Sequence, residues 1–251
     1  MIEIFQITDI NLWQLFFVCF IAFMLSILSG MSGYGAGLIM PVFLMPIVGI
    51  SNIIPIMAVT MLLNTGFRAM AFWSGIQWNH VCYMLLFGLP ACIAGAYCYT
   101  LLNSYWIALL LGIFLLISIP IRRVMNQRNF RLSPNSERIT GIAFGFINGG
   151  MAGTGIILIS ILMSAGLHSV ALIATDAIIS ATLAIIKIAI FGSTAKLNFD
   201  LAIVGVLIGI CMAPGGFIAR QLLNFIPIKI HTWVMEVVIF SGGIMFILHA
   251  I

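Results

Sequence analysis

The chain has 251 residues, 63% of them hydrophobic and 6% charged, with a formal net charge of +4. Soluble domains carry roughly 25% charged residues, so a water-soluble fold of this size could not cover its own surface. Five of the ten basic residues fall between Arg122 and Arg138, the pattern of a cytoplasmic loop under the positive-inside tendency and not of a nucleic-acid-binding face.

The N-terminus carries Glu3 and Asp9 in place of a basic segment, so a removable leader is not expected. No charge occurs between Asp9 and Arg68, between Arg68 and Arg122, or between Arg138 and Asp176. Each gap has room for one or more crossings of about 20 apolar residues. Apolar segments are predicted near 11–29, 33–49, 52–73, 80–101, 104–121, 138–166, 169–191, 199–222 and 231–250. The expected fold is all-α: a polytopic transmembrane bundle in the cell (inner) membrane.

Two halves are expected, residues 1–121 and 138–251, joined by a basic cytoplasmic linker over 122–137. Gly30-Met31-Ser32-Gly33-Tyr34-Gly35 matches Gly150-Met151-Ala152-Gly153-Thr154-Gly155 at a separation of 120, and Gly95-Ala96 matches Gly215-Gly216 at the same separation. Duplicated halves are common in secondary transporters, where substrate sits between the repeats.

Each glycine run lies inside an apolar stretch and should break its helix at membrane depth. Broken backbone is tolerated there only where protein buries it or water reaches it, because unpaired peptide groups in hydrocarbon are costly. A restarting helix also turns free N–H groups and its positive end into the gap, which suits an anion. Taken singly, such glycines serve close helix packing; two runs at matching places point to a cavity.

Ionisable residues far from helix ends are the second feature, since they usually face a cavity or a partner. Arg68 follows Asn64 by one turn, and the pair suits an oxyanion. Asp176, Ser180, Leu183 and Lys187 form a stripe in which Asp176 and Lys187 are about 16 Å apart along the axis, too far to pair with each other. Lys187 falls opposite Arg68 at a separation of 119, so each half offers one cation. The expected substrate site therefore comprises Gly30, Ser32, Gly33, Gly35, Asn64 and Arg68 from the first half. The second supplies Asn148, Gly150, Gly153, Thr154 and Lys187, with Asp176 as proton carrier or counter-ion.

Five cysteines lie in apolar stretches without CxxC spacing, and no GxxxxGK[ST], HExxH or GxSxG occurs. No cofactor, metal or enzymatic activity is expected, so transport would draw on a gradient. The expected partners are a small anion and the lipid bilayer; the sequence allows a homodimer without requiring one.

Ser29–Gly37 with the following Leu38-Ile39-Met40-Pro41, Asn64-x-x-x-Arg68 and Gly75-Ile76-Gln77-Trp78 resemble the first repeat of the TauE/SafE family of sulfite exporters, also called 4-toluene sulfonate uptake permeases. Gly149–Gly155, Ala174-Thr175-Asp176-Ala177 and Lys187 through Gly192 are similar to the matching repeat. The resemblance covers about residues 20 to 250 and implies a carrier for sulfite, sulfonates or related organosulfur anions, coupled to protons. Ser32, Tyr34, Ala152 and Thr154 depart from the glycine-richest form of the motif. An anion channel or a non-transporting membrane scaffold is the alternative function.

Two topologies fit. If each broken segment crosses once, there are eight passes and parallel repeats; if each glycine run tips a re-entrant hairpin, three full crossings remain per half and the repeats are inverted.

Overall fold

The computed structural model describes residues 12–127, 134–222 and 228–250. They form ten helices: α1 (Leu12–Ser32), α2 (Ala36–Val48), α3 (Ile50–Ala71), α4 (Trp78–Thr100), α5 (Ser104–Gln127), α6 (Pro134–Gly150), α7 (Gly155–Ser164), α8 (Ser169–Ser193), α9 (Phe199–Leu222) and α10 (Ile228–Ala250). Among them, α1, α3, α4, α8 and α9 are long and apolar enough to cross a membrane, while α2 and α7 are shorter apolar helices. α5 and α6 extend into the expected linker 122–137, of which residues 128–133 lie outside the described residues.

Lipid exposure is written along α1. Trp13, Phe16, Phe17, Phe20 and Met24 are exposed on one face, whereas Val18, Ala22, Leu25, Ser26 and Ser29 are buried on the other. A soluble monomer rarely leaves so large an apolar stripe uncovered; in a bilayer that stripe is solvated by acyl chains.

Both glycine runs interrupt helices. α1 stays helical through Ser32, with the Gly33 amide bonded to the Ser29 carbonyl at 2.7 Å, and the chain then turns at Gly33 (φ 78°) and restarts as α2. The predicted single segment 138–166 is two helices, α6 and α7, divided at Gly153 (φ 82°). A left-handed φ is cheap for glycine and strained for any larger residue, so these two positions fix where the helices end.

The neighbours of each helix give its direction. Gly205, Gly209 and Gly216 of α9 lie beside Val59, Leu63 and Arg68, so α3 and α9 run parallel. Gly215 beside Ser26 and Gly30 beside Ala219 set α1 parallel to α9 as well. Gly141 beside Met84, Gly145 beside Gly88 and Gly149 beside Cys92 set α4 parallel to α6.

α3 and α8 are antiparallel. Arg68 meets Asp176 at one end, and at the other Tyr99 both donates to the Ser51 carbonyl at 3.0 Å and stacks edge-on against Phe191. The Ser51 carbonyl is available because Pro55, four residues on, has no N–H to offer it. α5 and α10 are also antiparallel, with Gly112 beside Ile247 and Leu116 beside Gly243.

These pairings are reciprocal. Exchanging α1–α5 with α6–α10 turns α1/α9 into α6/α4 and α3/α9 into α8/α4, and maps α3/α8 and α5/α10 onto themselves. Because the self-mapped pairs are antiparallel, the two sets of helices are inverted with respect to each other. α2 descends from Gly37, beside Met61, back to Gly49 at the start of α3, so each glycine run is the tip of a hairpin. One detail differs from the re-entrant alternative: α1 is itself 21 residues long, because the break follows a complete helix instead of cutting one in half.

Candidate functional site

The two hairpin tips meet. A Cβ on Gly37 would lie 2.9 Å from the Gly153 Cα, and one on Gly153 would lie 2.9 Å from the Leu38 Cα. The starts of α2 and α7 thus abut, and the first amides of a helix have no carbonyl one turn back to bond. Each start carries the equivalent of about half a positive charge.

Beside the tips is a cavity of about 60 Å³. Its wall includes Gly33, Gly35, Gly153 and Thr154 from the tips, Asn64, Thr65 and Arg68 from α3, Asn148 from the end of α6, and Ser180, Ala184 and Lys187 from α8.

Arg68 is 2% exposed and Asp176 fully buried, and the guanidinium Nη2 donates to the Asp176 Oδ2. Nη1 donates to the Ser29 and Gly33 carbonyls at 3.2 and 3.0 Å and to the Ser29 hydroxyl at 3.3 Å. The guanidinium is therefore locked onto the first hairpin tip and onto α8 at once, with only its buried Nε–H and the Asp176 Oδ1 lacking a partner among the described residues.

Lys187 is also buried, and its ammonium donates to the Asn148 carbonyl at 3.3 Å. The Asn148 amide donates to the Thr154 hydroxyl at 2.5 Å, tying the end of α6 to the start of α7. Asn64 accepts from Ser26 at 3.2 Å through its oxygen. Among the described residues its amide nitrogen reaches only the Met61 sulfur, at 4.0 Å, a weak acceptor, which leaves strong donor capacity facing the cavity.

Of the residues expected from sequence, Gly33, Gly35, Asn64, Arg68, Asn148, Gly153, Thr154 and Lys187 share this wall. Asp176 stands behind it as the partner of Arg68. Gly30 and Gly150 do not line it: a Cβ on Gly30 would meet Ala219 at 2.4 Å, and Gly150 lies against Gly95 and Tyr99. Both serve close helix packing. The side chain of Ser32 lies outside the described residues. Leu183, expected on the polar stripe, is buried in an apolar cluster, and Ala184 takes the cavity-facing place. Met57, Met61 and Thr65 also line the cavity; the sequence signal for them was a run continuing back from Arg68 at helical spacing.

The family model of the sulfite exporter TauE/SafE matches residues 18–246. The chain belongs to the TauE/SafE family. No curated protein and no solved structure matches it. Members of the TauE/SafE family are membrane transporters and not enzymes, and the helices described above place this one among multi-pass membrane proteins.

Proposed function

We propose that this protein is a proton-coupled secondary carrier of a small anion, with sulfite or a compact organosulfur anion as cargo, held in the cavity beside the two hairpin tips. One observation carries the reading: a single small cavity is walled by both glycine breaks and by the only lysine and arginine buried among the described residues. Such cations persist at membrane depth where they meet a partner or a substrate.

Chemically the wall offers backbone amides, the Asn64 amide, the Thr154 hydroxyl and two cations, all donors fitted to oxygen atoms around a central sulfur. The small volume favours inorganic sulfite or an anion with a short substituent over an aromatic sulfonate. Asp176 is the coupling residue: protonation removes its charge, loosens the Arg68 pair and frees guanidinium hydrogen bonds for the anion. Anion binding and protonation then favour each other, and by linkage the effect is reciprocal.

The test is flux of radiolabelled sulfite in proteoliposomes. Saturable uptake that rises when the loading side is made more acidic supports a proton-coupled carrier. A conductance linear in voltage would mean a channel, and no flux of any anion would overturn the reading.

A further inference from the structure

The inverted arrangement gives each position of α3 a counterpart on α8, and at one such pair of positions the two differ in charge. Arg68 and Lys187 are 119 positions apart, and each bonds a carbonyl beside a glycine run: Arg68 that of Ser29 at 3.2 Å and Lys187 that of Asn148 at 3.3 Å, one residue off the separation of 120 that aligns the runs. The counterpart of Asp176 by the same separation is Met57. In an antiparallel pair, contacts at one register keep a constant sum of residue numbers; 68 plus 176 is 244, and so is 57 plus 187. Met57 therefore stands toward Lys187 as Asp176 stands toward Arg68, and both Met57 and Lys187 border the cavity.

We propose that, while Asp176 is ionised, the carboxylate present there and missing at Met57 divides the work of the two cations: Arg68 fastens the hairpin tip to α8, Lys187 holds the anion, and the cavity accepts one negative charge. The inference rests on the carrier reading above. Arg68 spends its Nη groups on Ser29, Gly33 and Asp176 and keeps the buried Nε–H as a directional donor. Lys187 has three N–H groups, of which one goes to Asn148, and no carboxylate partner among the described residues. With two cations and one carboxylate, the site balances at a monoanion. Met57 is thus a specificity position: it fills space without neutralising Lys187.

The experiment is binding to the purified full chain at one fixed mildly acidic pH, by calorimetry, with hydrogensulfite as the monovalent probe and sulfate as the divalent one. Wild type should bind hydrogensulfite more tightly than sulfate. Met57→Asp should weaken hydrogensulfite by more than about tenfold, the factor set by 1.4 kcal/mol. The exchange variant carrying Met57→Asp with Asp176→Met should recover most of the loss, because Arg68 then becomes the unpaired cation. Asp176→Asn alone should shift preference toward sulfate. Where Met57→Asp fails to fold, Asp176→Asn decides the matter independently. Unchanged hydrogensulfite binding in Met57→Asp, an exchange variant no better than the single one, or no shift toward sulfate in Asp176→Asn would overturn the proposal. Wild type binding neither probe would instead overturn the carrier reading.

Discussion

Arg68 and Asp176 are 108 positions apart in the chain yet form a buried ion pair that joins α3 to α8. Arg68 also grips the Ser29 and Gly33 carbonyls, so the pair couples the fold of the first hairpin tip to the opposite set of helices. Two consequences follow, one for stability and one for transport.

Removing one partner of a buried pair leaves an uncompensated charge, at a cost of about 3–5 kcal/mol, whereas replacing both by apolar residues is often neutral. Arg68→Ala should therefore lower the thermal unfolding midpoint in detergent strongly. The double variant Arg68→Met with Asp176→Leu should unfold near the wild-type temperature while losing the response of uptake to the proton gradient. A double variant as unstable as the single one would show that the pair does more than balance charge.

Lys187 should matter for binding more than for folding. A unit charge 4 Å from an anion contributes about 4 kcal/mol at an effective dielectric constant near 20, so Lys187→Met should weaken sulfite binding by at least about tenfold with little change in unfolding temperature. Lys187→Arg should retain part of the affinity. Calorimetric titration on the two variants measures both effects.

Coupling gives a prediction with a definite sign. If protonation of Asp176 releases Arg68 to the anion, sulfite uptake into proteoliposomes should increase as the external side is acidified, and Asp176→Asn should transport without responding to the proton gradient. An undiminished response in Asp176→Asn would assign the proton to another group.

Contact between the hairpin tips depends on the missing side chain at Gly37, where a Cβ would sit 2.9 Å from the Gly153 Cα. Gly37→Ala should force the tips apart and reduce flux severalfold. Gly66→Ala, on α3 where a Cβ would meet nothing within 4 Å, should preserve flux and stabilise the helix by about 1 kcal/mol. Equal losses in both variants would show that the tips tolerate separation.

Much of this was legible in the chain, and the illegible part has a common cause. Glycine runs signal a broken helix because backbone preference is local, and Arg68 and Lys187 signal a cavity because bare charge at membrane depth is costly. The pairing of Arg68 with Asp176 is not local: it depends on α3 and α8 lying antiparallel, and the sequence fits both parallel and inverted repeats. Gly30 and Gly150 read the same as Gly33 and Gly153 in sequence, yet they face neighbouring helices, and only the packing angle of α1 and α6 separates the two uses. Leu183 and Ala184 both fit a polar stripe starting at Asp176, since a spacing of 3.6 residues allows either. Met57, an apolar residue in an apolar helix, carries no local sign that its place opposite Lys187 is the counterpart of a carboxylate.

Where the anion rests decides the mechanism. The most direct measurement is a cryo-electron microscopy or crystallographic map of the protein with selenite, the heavier analogue of sulfite. The predicted result is one peak within hydrogen-bonding distance of the Lys187 ammonium, in the cavity beside the starts of α2 and α7. A peak confined to the membrane surface, or a cavity holding only water at saturating selenite, would contradict it.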